Sequence, residues 1–280
     1  MDIFSEINSA RAYLSAKKSN QLSIGLVPTM GALHPGHLAL IRASKAENDL
    51  TVCSIYVNPA QFNNSTDLSQ YPRTLEADLA LLKQEGCEMA LIPTNEEMYA
   101  KAVPLRFDFG NLDKVMEGRY RPGHFSGVAL VVAKFFNIVQ PDRAYFGQKD
   151  YQQFQIISRL KEELKFPLEL RSVPIVREPD GLAMSSRNQR LGTTGRKKAT
   201  LLFKSLNYAR DSIRKGADFA QIRTEIEAWY RQEDGLKLEY LEMADGTTLE
   251  LTDHFSPDKN LILLIAAYVD EVRLIDNLPA

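Results

Sequence analysis

Two of the chain's four histidines flank a glycine in the segment 28–37, Pro-Thr-Met-Gly-Ala-Leu-His-Pro-Gly-His. The apolar run 22–27 before it has the length and β-branched content of a buried strand, and a helical pattern of apolar residues begins at Leu38. Backbone N–H groups in the first turn of such a helix have no partner within the helix and lie at the positive end of its dipole, so they can bind phosphate. Imidazoles donate hydrogen bonds to phosphate oxygens, and Gly36 lets a nucleotide approach the backbone closely. This loop therefore predicts a nucleotide-phosphate site.

Two other interpretations of the same loop stay open from these residues alone. A metal site would need further ligands, and His124 is the only histidine that could join His34 and His37, with no carboxylate or cysteine close by in sequence. The two histidines could also belong to a surface turn with a structural role. The nucleotide site is the interpretation that the residue types favour.

Two further loops carry groups that suit phosphates. The segment 146–153, Phe-Gly-Gln-Lys-Asp-Tyr-Gln-Gln, offers Lys149 as a mobile cation and Asp150 as a helix cap or an oxygen ligand for Mg²⁺. The segment 184–188, Met-Ser-Ser-Arg-Asn, places two hydroxyls and a guanidinium in one short loop, which suits a polyphosphate leaving group. A cap beside a surface lysine and a polar turn between domains are the corresponding structural interpretations.

Two other segments suit an acidic substrate. Gln61, in the Asn-Pro-Ala-Gln-Phe segment 58–62, can donate and accept hydrogen bonds at once, as a substrate with hydroxyl and carboxylate groups requires. The segment 119–125 adds two arginines before a buried helix, either to bind an anion or as a basic loop.

Strands and helices that alternate along the chain must position these loops. We predict strands at 22–27, 50–57, 89–92 and 143–146, alternating with helices that include an opening one with apolar positions from Phe4 to Leu14, one that begins at Thr74, one at 125–140 and one from Asp150 to about Leu164. This alternation implies a parallel sheet whose ligands bind beyond the carboxyl ends of the strands. The pattern then changes to helices at 193–215 and 218–232 and strands at 236–243, 261–268 and 271–275. The predicted fold is α/β, a Rossmann-like parallel sheet flanked by helices (1–176) with a smaller C-terminal α+β lid domain (177–280).

Composition narrows the class of protein further. The chain has 280 residues, 44% hydrophobic and 25% charged, with a formal net charge of −2, which is typical of a globular protein and argues against a nucleic-acid partner. Neither a secretory signal nor an apolar run of membrane-spanning length is visible, so we expect no membrane partner. The two cysteines, Cys53 and Cys87, are expected to be buried thiols of a cytoplasmic protein.

Taken together, these segments resemble the pantothenate synthetase (pantoate–β-alanine ligase) family of the H-x-G-H nucleotidyltransferase superfamily. The resemblance lies in PTMGALHPGH (28–37), YVNPAQF (56–62), YPRTLEADL (71–79), RPGHFSGV (121–128), PDRAYFGQKDYQQ (141–153) and MSSRN (184–188). H-x-G-H alone would identify only the superfamily, whereas the order and spacing of all six motifs are specific. The resemblance implies that pantoate attacks ATP to form pantoyl adenylate and pyrophosphate, and that β-alanine then displaces AMP to form pantothenate.

The resemblance also implies roles for individual residues. ATP would contact Met30, Gly31, Ala32, Leu33, His34, Pro35, Gly36, His37, Gly147, Gln148, Lys149, Asp150, Val176, Met184, Ser185, Ser186 and Arg187. The catalytic groups among them would be His34, His37, Lys149 and Arg187. Pantoate would be held by Gln61, Gln153 and Met30, with Gln61 also near β-alanine. The resemblance further implies Mg²⁺ bound with ATP at Asp150, and a homodimer.

One position departs from the family pattern, and some rival functions stay open. Gln148 stands where the family usually carries Glu, so a hydrogen bond to a nucleotide ribose could survive whereas a charge-dependent role could not. The rivals are a nucleotidyltransferase of the same superfamily that stops after nucleotidyl transfer, a non-catalytic nucleotide-binding regulator and a zinc hydrolase. An aminoacyl-tRNA synthetase is disfavoured because the chain has no large anticodon-binding domain.

Overall fold

Short, apolar runs form the central sheet of the first part of the chain. The strands are β1 (Asp2–Phe4), β2 (Ile24–Thr29), β3 (Leu50–Ile55), β4 (Met89–Leu91), β5 (Arg143–Gly147) and β6 (Glu169–Val173). They lie in the order β1-β4-β3-β2-β5-β6, and all the pairings are parallel. The computed structural model describes residues 1–99, 101 and 104–280. The predicted α/β fold with a Rossmann-like parallel sheet is confirmed.

Helices cover both faces of this sheet. The first eight are α1 (Ile7–Ser19), α2 (Pro35–Glu47), α3 (Ser65–Ser69), α4 (Leu75–Gln84), α5 (Asn95–Met98), α6 (Met116–Tyr120), α7 (His124–Val139) and α8 (Tyr151–Glu163). Apolar residues of α1, α7 and α8 pack with the strands in one core cluster, while α2 and α4 contribute Leu40, Ile41 and Leu82 to another. Nearly every residue of α7 is buried, as its sequence predicts. Cys53 and Cys87 are buried, free thiols.

The end of the chain forms a smaller α+β arrangement, as predicted. It contains α9 (Thr193–Lys198), α10 (Leu201–Ile213) and α11 (Phe219–Arg231), followed by the antiparallel sheet of β7 (Leu236–Asp245), β8 (Leu261–Val269) and β9 (Val272–Pro279). By its contacts the chain divides into two compact units, Met1–Gln148 with Gln153–Pro174 and Lys149–Gln152 with Ile175–Ala280. Among the described residues, no helix combines the length and apolarity needed to cross a membrane.

Several features of the fold differ from the sequence-based prediction, among them the short helices α3, α5 and α6, which were not predicted. The edge strands β1 and β6 were not predicted, because their residues are largely exposed or half-buried and so lack the apolar pattern of the inner strands. The single helix predicted at 193–215 is two helices. Between them, the Thr200 hydroxyl donates to the carbonyl of Lys197 at 2.7 Å, and such side-chain bonds compete with the helical hydrogen-bond pattern.

A buried ion pair joins two segments of the second unit. The Arg177 guanidinium donates to both carboxylate oxygens of Asp276, at 2.6 and 2.9 Å, and lies 3.9 Å from the ring centroid of Phe203. Burial raises the pKa of Asp276 above its ordinary value, although Arg177 acts in the opposite direction. This pair connects β9 to the turn that leads into the segment 184–188.

We predict that Arg177→Met destabilises the second unit by about 3–5 kcal/mol, because it leaves a buried carboxylate without its partner. The destabilisation is expected to shrink as the pH falls towards 4. A raised pKa means that the folded state binds the Asp276 proton more tightly than the unfolded chain, so this carboxyl favours folding most below its ordinary pKa and progressively less as pH rises. Urea unfolding followed by fluorescence of Trp229, the chain's single tryptophan and part of α11, measures the effect.

Arg42→Met is the matched control, because Arg42 forms an ion pair with Glu85 while its side chain is 61% exposed. We expect its free energy of unfolding to stay close to that of the wild type, because an exposed ion pair contributes little to stability. Equal losses in both variants, or a loss in Arg177→Met that grows in acid, would contradict the assignment.

Candidate active site

The loop between β2 and α2 is held in place by one buried carboxylate. Asp78 of α4 is 1% exposed, and it accepts hydrogen bonds from the backbone N–H groups of Ala32 at 2.9 Å and Leu33 at 2.8 Å. The loop can offer both groups to the same carboxylate because Gly31 and Ala32 adopt left-handed backbone conformations, with φ of 78° and 49°. Asp78, which lies outside the predicted phosphate loop, therefore holds that loop in its conformation.

The two histidines of the loop lie at the first turn of α2. His34 is the N-cap of this helix, and its Nδ1 accepts a hydrogen bond from the Gly36 N–H at 3.2 Å. Since Nδ1 serves as an acceptor, a neutral His34 carries its proton on Nε2, which is then a donor. The rings of His34 and His37 lie 4.0 Å apart, centroid to centroid, and both residues are only partly buried. The arrangement places two imidazoles at the positive end of a helix, where an anion is favoured.

A second predicted group lies where β3 ends. Gln61 belongs to a short helical turn, Pro59–Gln61, capped by Asn58, and its Nε2 lies 3.3 Å from the sulfur of Met30. Because β2 and β3 are parallel neighbours, the loops after their carboxyl ends lie side by side. The structure therefore brings Met30, a residue of the predicted phosphate loop, into contact with Gln61, the predicted acid-binding group.

The short helical turn around Gln61 is held by Asn58, Gly127 and His124, none of which was predicted to bind a substrate. Asn58 is 1% exposed and donates from Nδ2 to the side chain of Gln61 at 2.9 Å and to the carbonyl of Gly127 at 3.1 Å. A Cβ on Gly127 would lie 2.2 Å from the carbonyl oxygen of Ala60, so glycine is needed for α7 to pack against this turn. His124, buried at the start of α7, contacts the Gln61 carbonyl oxygen through Nδ1 at 2.8 Å.

The contacts of His124 bear on the metal interpretation. Besides Gln61, the ring contacts the Arg121 guanidinium through Nε2 at 3.0 Å. In the part of the chain that the structure describes, no three or more His, Cys, Asp or Glu residues form a cluster able to hold a metal ion. A site built from His34, His37 and His124 therefore finds no support in the geometry.

The other predicted ATP and pantoate residues are divided between the two units. Gly147, Gln148 and Gln153 lie in the first unit, at the end of β5 and the start of α8, whereas Lys149, Asp150, Val176, Met184, Ser185, Ser186 and Arg187 lie in the second. Within the second unit, the Asn277 side chain donates to the Lys149 carbonyl at 2.9 Å. The N–H of Met184 donates to the carbonyl of Val176 at 3.0 Å, which brings these two predicted residues together.

The segment 184–188 begins a short helical turn. Ser185 is its N-cap, with a hydroxyl that accepts from the Arg187 N–H at 3.3 Å. Ser186 is buried, and Arg187 is partly exposed. Ser185 is partly exposed whereas Ser186 is buried, so the two hydroxyls lie in different surroundings.

Sequence reasoning missed Asp78, although the sequence contains a signal for it. Asp78 and Leu82 are four residues apart, so they share the buried face of α4. A carboxylate on an apolar helix face requires hydrogen-bond donors from elsewhere in the chain, here the loop after β2. The sequence does not tell which donors these are.

Comparisons with known proteins match almost the whole chain to a single family. The family model described as pantoate-beta-alanine ligase matches residues 2–279. A pantothenate synthetase of Cytophaga hutchinsonii is 44% identical over 273 residues, covering 97% of this chain and 96% of the relative. One of Bacteroides thetaiotaomicron is 44% identical over 282 residues, covering 99% and 98%.

Solved structures agree with these matches. The crystal structure of pantothenate synthetase from Thermus thermophilus has a TM-score of 0.92 at 41% identity and covers 99% of both chains. The pantoate-beta-alanine ligase of Francisella tularensis, complexed with beta-gamma ATP and β-alanine, has a TM-score of 0.81 at 33% identity and covers 100% of this chain and 97% of that one. The resemblance found from the six motifs is confirmed, and the chain belongs to the pantoate–β-alanine ligase family.

Proposed function

We propose that this chain condenses pantoate with β-alanine in an ATP-dependent reaction that passes through pantoyl adenylate. The proposal is supported by the contact between Met30 and Gln61: the Gln61 amide, which would bind the acid, lies beside a loop with two histidines at a helix N-terminus. An ATP phosphate and a substrate carboxylate could meet at such a place. Family membership supports the same reaction.

In the first step, a carboxylate oxygen of pantoate attacks the α-phosphorus of ATP. The bond from that phosphorus to the bridging oxygen breaks, and pyrophosphate leaves with the electron pair. The carboxylate is already nucleophilic at neutral pH, so the enzyme needs to stabilise the negative charge that accumulates on the phosphates. His34, through its Nε2–H, and His37 are proposed to donate to these oxygens.

In the second step, the amine of β-alanine attacks the carbonyl carbon of pantoyl adenylate. The carbon–oxygen bond to the phosphate breaks, AMP leaves, and the new amide nitrogen loses a proton. Gln61 is proposed to hold pantoate and to lie beside the path of β-alanine, and Gln153 to complete the contacts with pantoate. These assignments rest on the family resemblance.

The second unit is proposed to contribute positive charge and nucleotide contacts. Lys149 and Arg187 would neutralise phosphate charge, because both side chains are cations that bind phosphate. Further proposed ATP contacts in this unit are Asp150, Val176, Met184, Ser185 and Ser186, and Gly147 and Gln148 of the first unit are also proposed to contact ATP. The neutral Gln148 could still bind a ribose hydroxyl, since an amide oxygen accepts a hydrogen bond as a carboxylate does.

Mg²⁺ is proposed to bind together with ATP. The Asp150 side chain is 47% exposed and its Oδ1 lies 3.9 Å from the Nζ of Lys149. One accessible carboxylate fits a cation that takes most of its oxygen ligands from phosphates and water. When bound, the ion would offset the charge that develops on the phosphates.

We further propose, from the family resemblance, that the chain forms a homodimer and acts in the cytoplasm.

The first prediction for this function concerns the products. With ATP and both acids present, we expect one AMP and one pyrophosphate for each pantothenate formed. With pantoate but no β-alanine, pyrophosphate release should stop after about one turnover per site, because the adenylate has no amine to react with. Product analysis by mass spectrometry and a rapid-quench assay measure this. AMP turnover at the same rate with either acid omitted would contradict the proposal, and a product that keeps its nucleotide would favour a nucleotidyltransferase.

The second prediction concerns the two histidines. We expect His37→Ala to lower the single-turnover rate of adenylate formation by about 10²- to 10³-fold, the usual effect of losing one preorganised donor. His34→Asn should lower it similarly. Asparagine is a good N-cap and can still accept from the Gly36 N–H, but it lacks the Nε2 donor.

Thermal unfolding provides the control for these variants. His34→Asn should unfold within a few degrees of the wild type, because the cap of α2 is retained. Near-normal adenylation in either variant would remove that histidine from the proposed mechanism.

A further inference from the structure

The amide of Asn58 has only one orientation that satisfies its neighbours. Its Oδ1 accepts from the Ala60 N–H at 3.3 Å, and its Nδ2 donates to the Gly127 carbonyl at 3.1 Å. A backbone N–H can only donate and a carbonyl can only accept, so these two contacts exclude the flipped amide. Because Asn58 is buried, a flip would leave polar groups without partners at a considerable cost.

This orientation fixes the polarity of Gln61. The Nδ2 of Asn58 also donates to the Oε1 of Gln61 at 2.9 Å, so the acceptor end of the Gln61 amide is occupied. The donor end, Nε2, points towards the sulfur of Met30 at 3.3 Å. A thioether is a weak acceptor, so a substrate oxygen would be a better partner for this N–H. Gln61 therefore presents hydrogen-bond donors, which match the carboxylate or hydroxyl oxygens of an acid substrate.

Tyr99 lies at the far end of this chain of hydrogen bonds. Its hydroxyl donates to the Oδ1 of Asn58 at 2.8 Å, a shorter contact than the one from Ala60. Burial raises the pKa of Tyr99 to about 12, so the hydroxyl keeps its proton and remains a donor near neutral pH. Tyr99 follows α5, on a segment that contributes none of the residues assigned to the substrates by resemblance.

We propose that Tyr99 is a positioning residue for the acid substrate: its hydroxyl helps to hold Asn58 in the orientation that Ala60 and Gly127 fix. Asn58 in turn holds Gln61 with the Nε2 donor towards pantoate. The identity of that acid rests on the proposed function. Tyr99 itself acts through two intervening side chains. Its removal should therefore weaken the binding of pantoate and leave ATP binding unchanged.

The chain offers a matched control for a test of this role. Tyr56 is a buried tyrosine close to the partly buried Tyr99, and its hydroxyl donates to the Oδ1 of Asn95 at 2.8 Å. Its ring centroid lies 6.3 Å from that of Tyr99, so both rings share one neighbourhood. Tyr56→Phe and Tyr99→Phe each delete one oxygen atom and keep the ring, but only Tyr99→Phe breaks the connection to Gln61.

The experiment measures pantoate binding by calorimetry in the presence of a non-hydrolysable ATP analogue. We expect Tyr99→Phe to raise the Kd for pantoate by about 3- to 10-fold, the equivalent of one hydrogen bond, because Ala60 and Gly127 still partly hold Asn58. Tyr56→Phe should leave the Kd for pantoate unchanged, and both variants should bind the analogue as the wild type does. In turnover, Tyr99→Phe should raise the KM for pantoate more than it lowers kcat.

Three outcomes would overturn the proposal. They are an unchanged Kd for pantoate in Tyr99→Phe, an equal rise in Tyr56→Phe, and a rise in Tyr99→Phe that extends equally to the ATP analogue. The proposed function is tested separately, by formation of pantothenate in the wild type. A wild type that binds pantoate but does not convert it would refute the reaction, whereas the comparison of the two phenylalanine variants would still decide the role of Tyr99.

Discussion

The hydrogen bonds from the loop after β2 to the carboxylate of Asp78 are the interaction on which the rest of the site depends. Two successive left-handed residues, Gly31 and Ala32, turn the N–H groups of Ala32 and Leu33 towards one buried side chain of α4. Hydrogen bonds to a charged group are stronger than those between neutral groups, about 1.5–3 kcal/mol each, and here both lie away from water. Because these amides are already bound to Asp78, they are not available to a phosphate. In the proposed function, the nucleotide would instead meet groups at the start of α2, such as the imidazole of His34.

Parallel strand order supplies the second constraint. β2 and β3 pair directly, so the loops that follow them are neighbours, and Met30 contacts Gln61 although the two are 31 residues apart in sequence. The first loop carries the histidines, and the second carries Gln61, whose backbone and side chain are held by His124 and Asn58. Both substrates of the proposed first step would therefore meet groups with fixed directions. Such preorganisation is what electrostatic stabilisation of a phosphoryl-transfer transition state requires.

The sequence predicted the elements that are rich in buried apolar residues and failed where stability comes from partners elsewhere in the chain. The inner strands and α7 were recognisable because their apolar residues are nearly continuous. β6 was not, since its polar residues form a strand only by pairing with β5. Among site residues, the pattern of the histidines pointed to phosphate. Asp78 and Tyr99 could not be assigned, because their roles come from hydrogen bonds to residues about 40 or more positions away. Local spacing carries no information on such bonds.

The most direct test of this account is the single-turnover rate of adenylate formation in Asp78→Asn. The variant keeps the shape of the side chain but sets an NH₂ group against a backbone N–H, which removes one charge-assisted bond and weakens the other. We expect the rate to fall by about 10- to 100-fold. Glu76→Gln, an exposed substitution on the same helix, should leave it unchanged. A wild-type rate in Asp78→Asn would contradict the account, because the loop would then hold its geometry without the carboxylate.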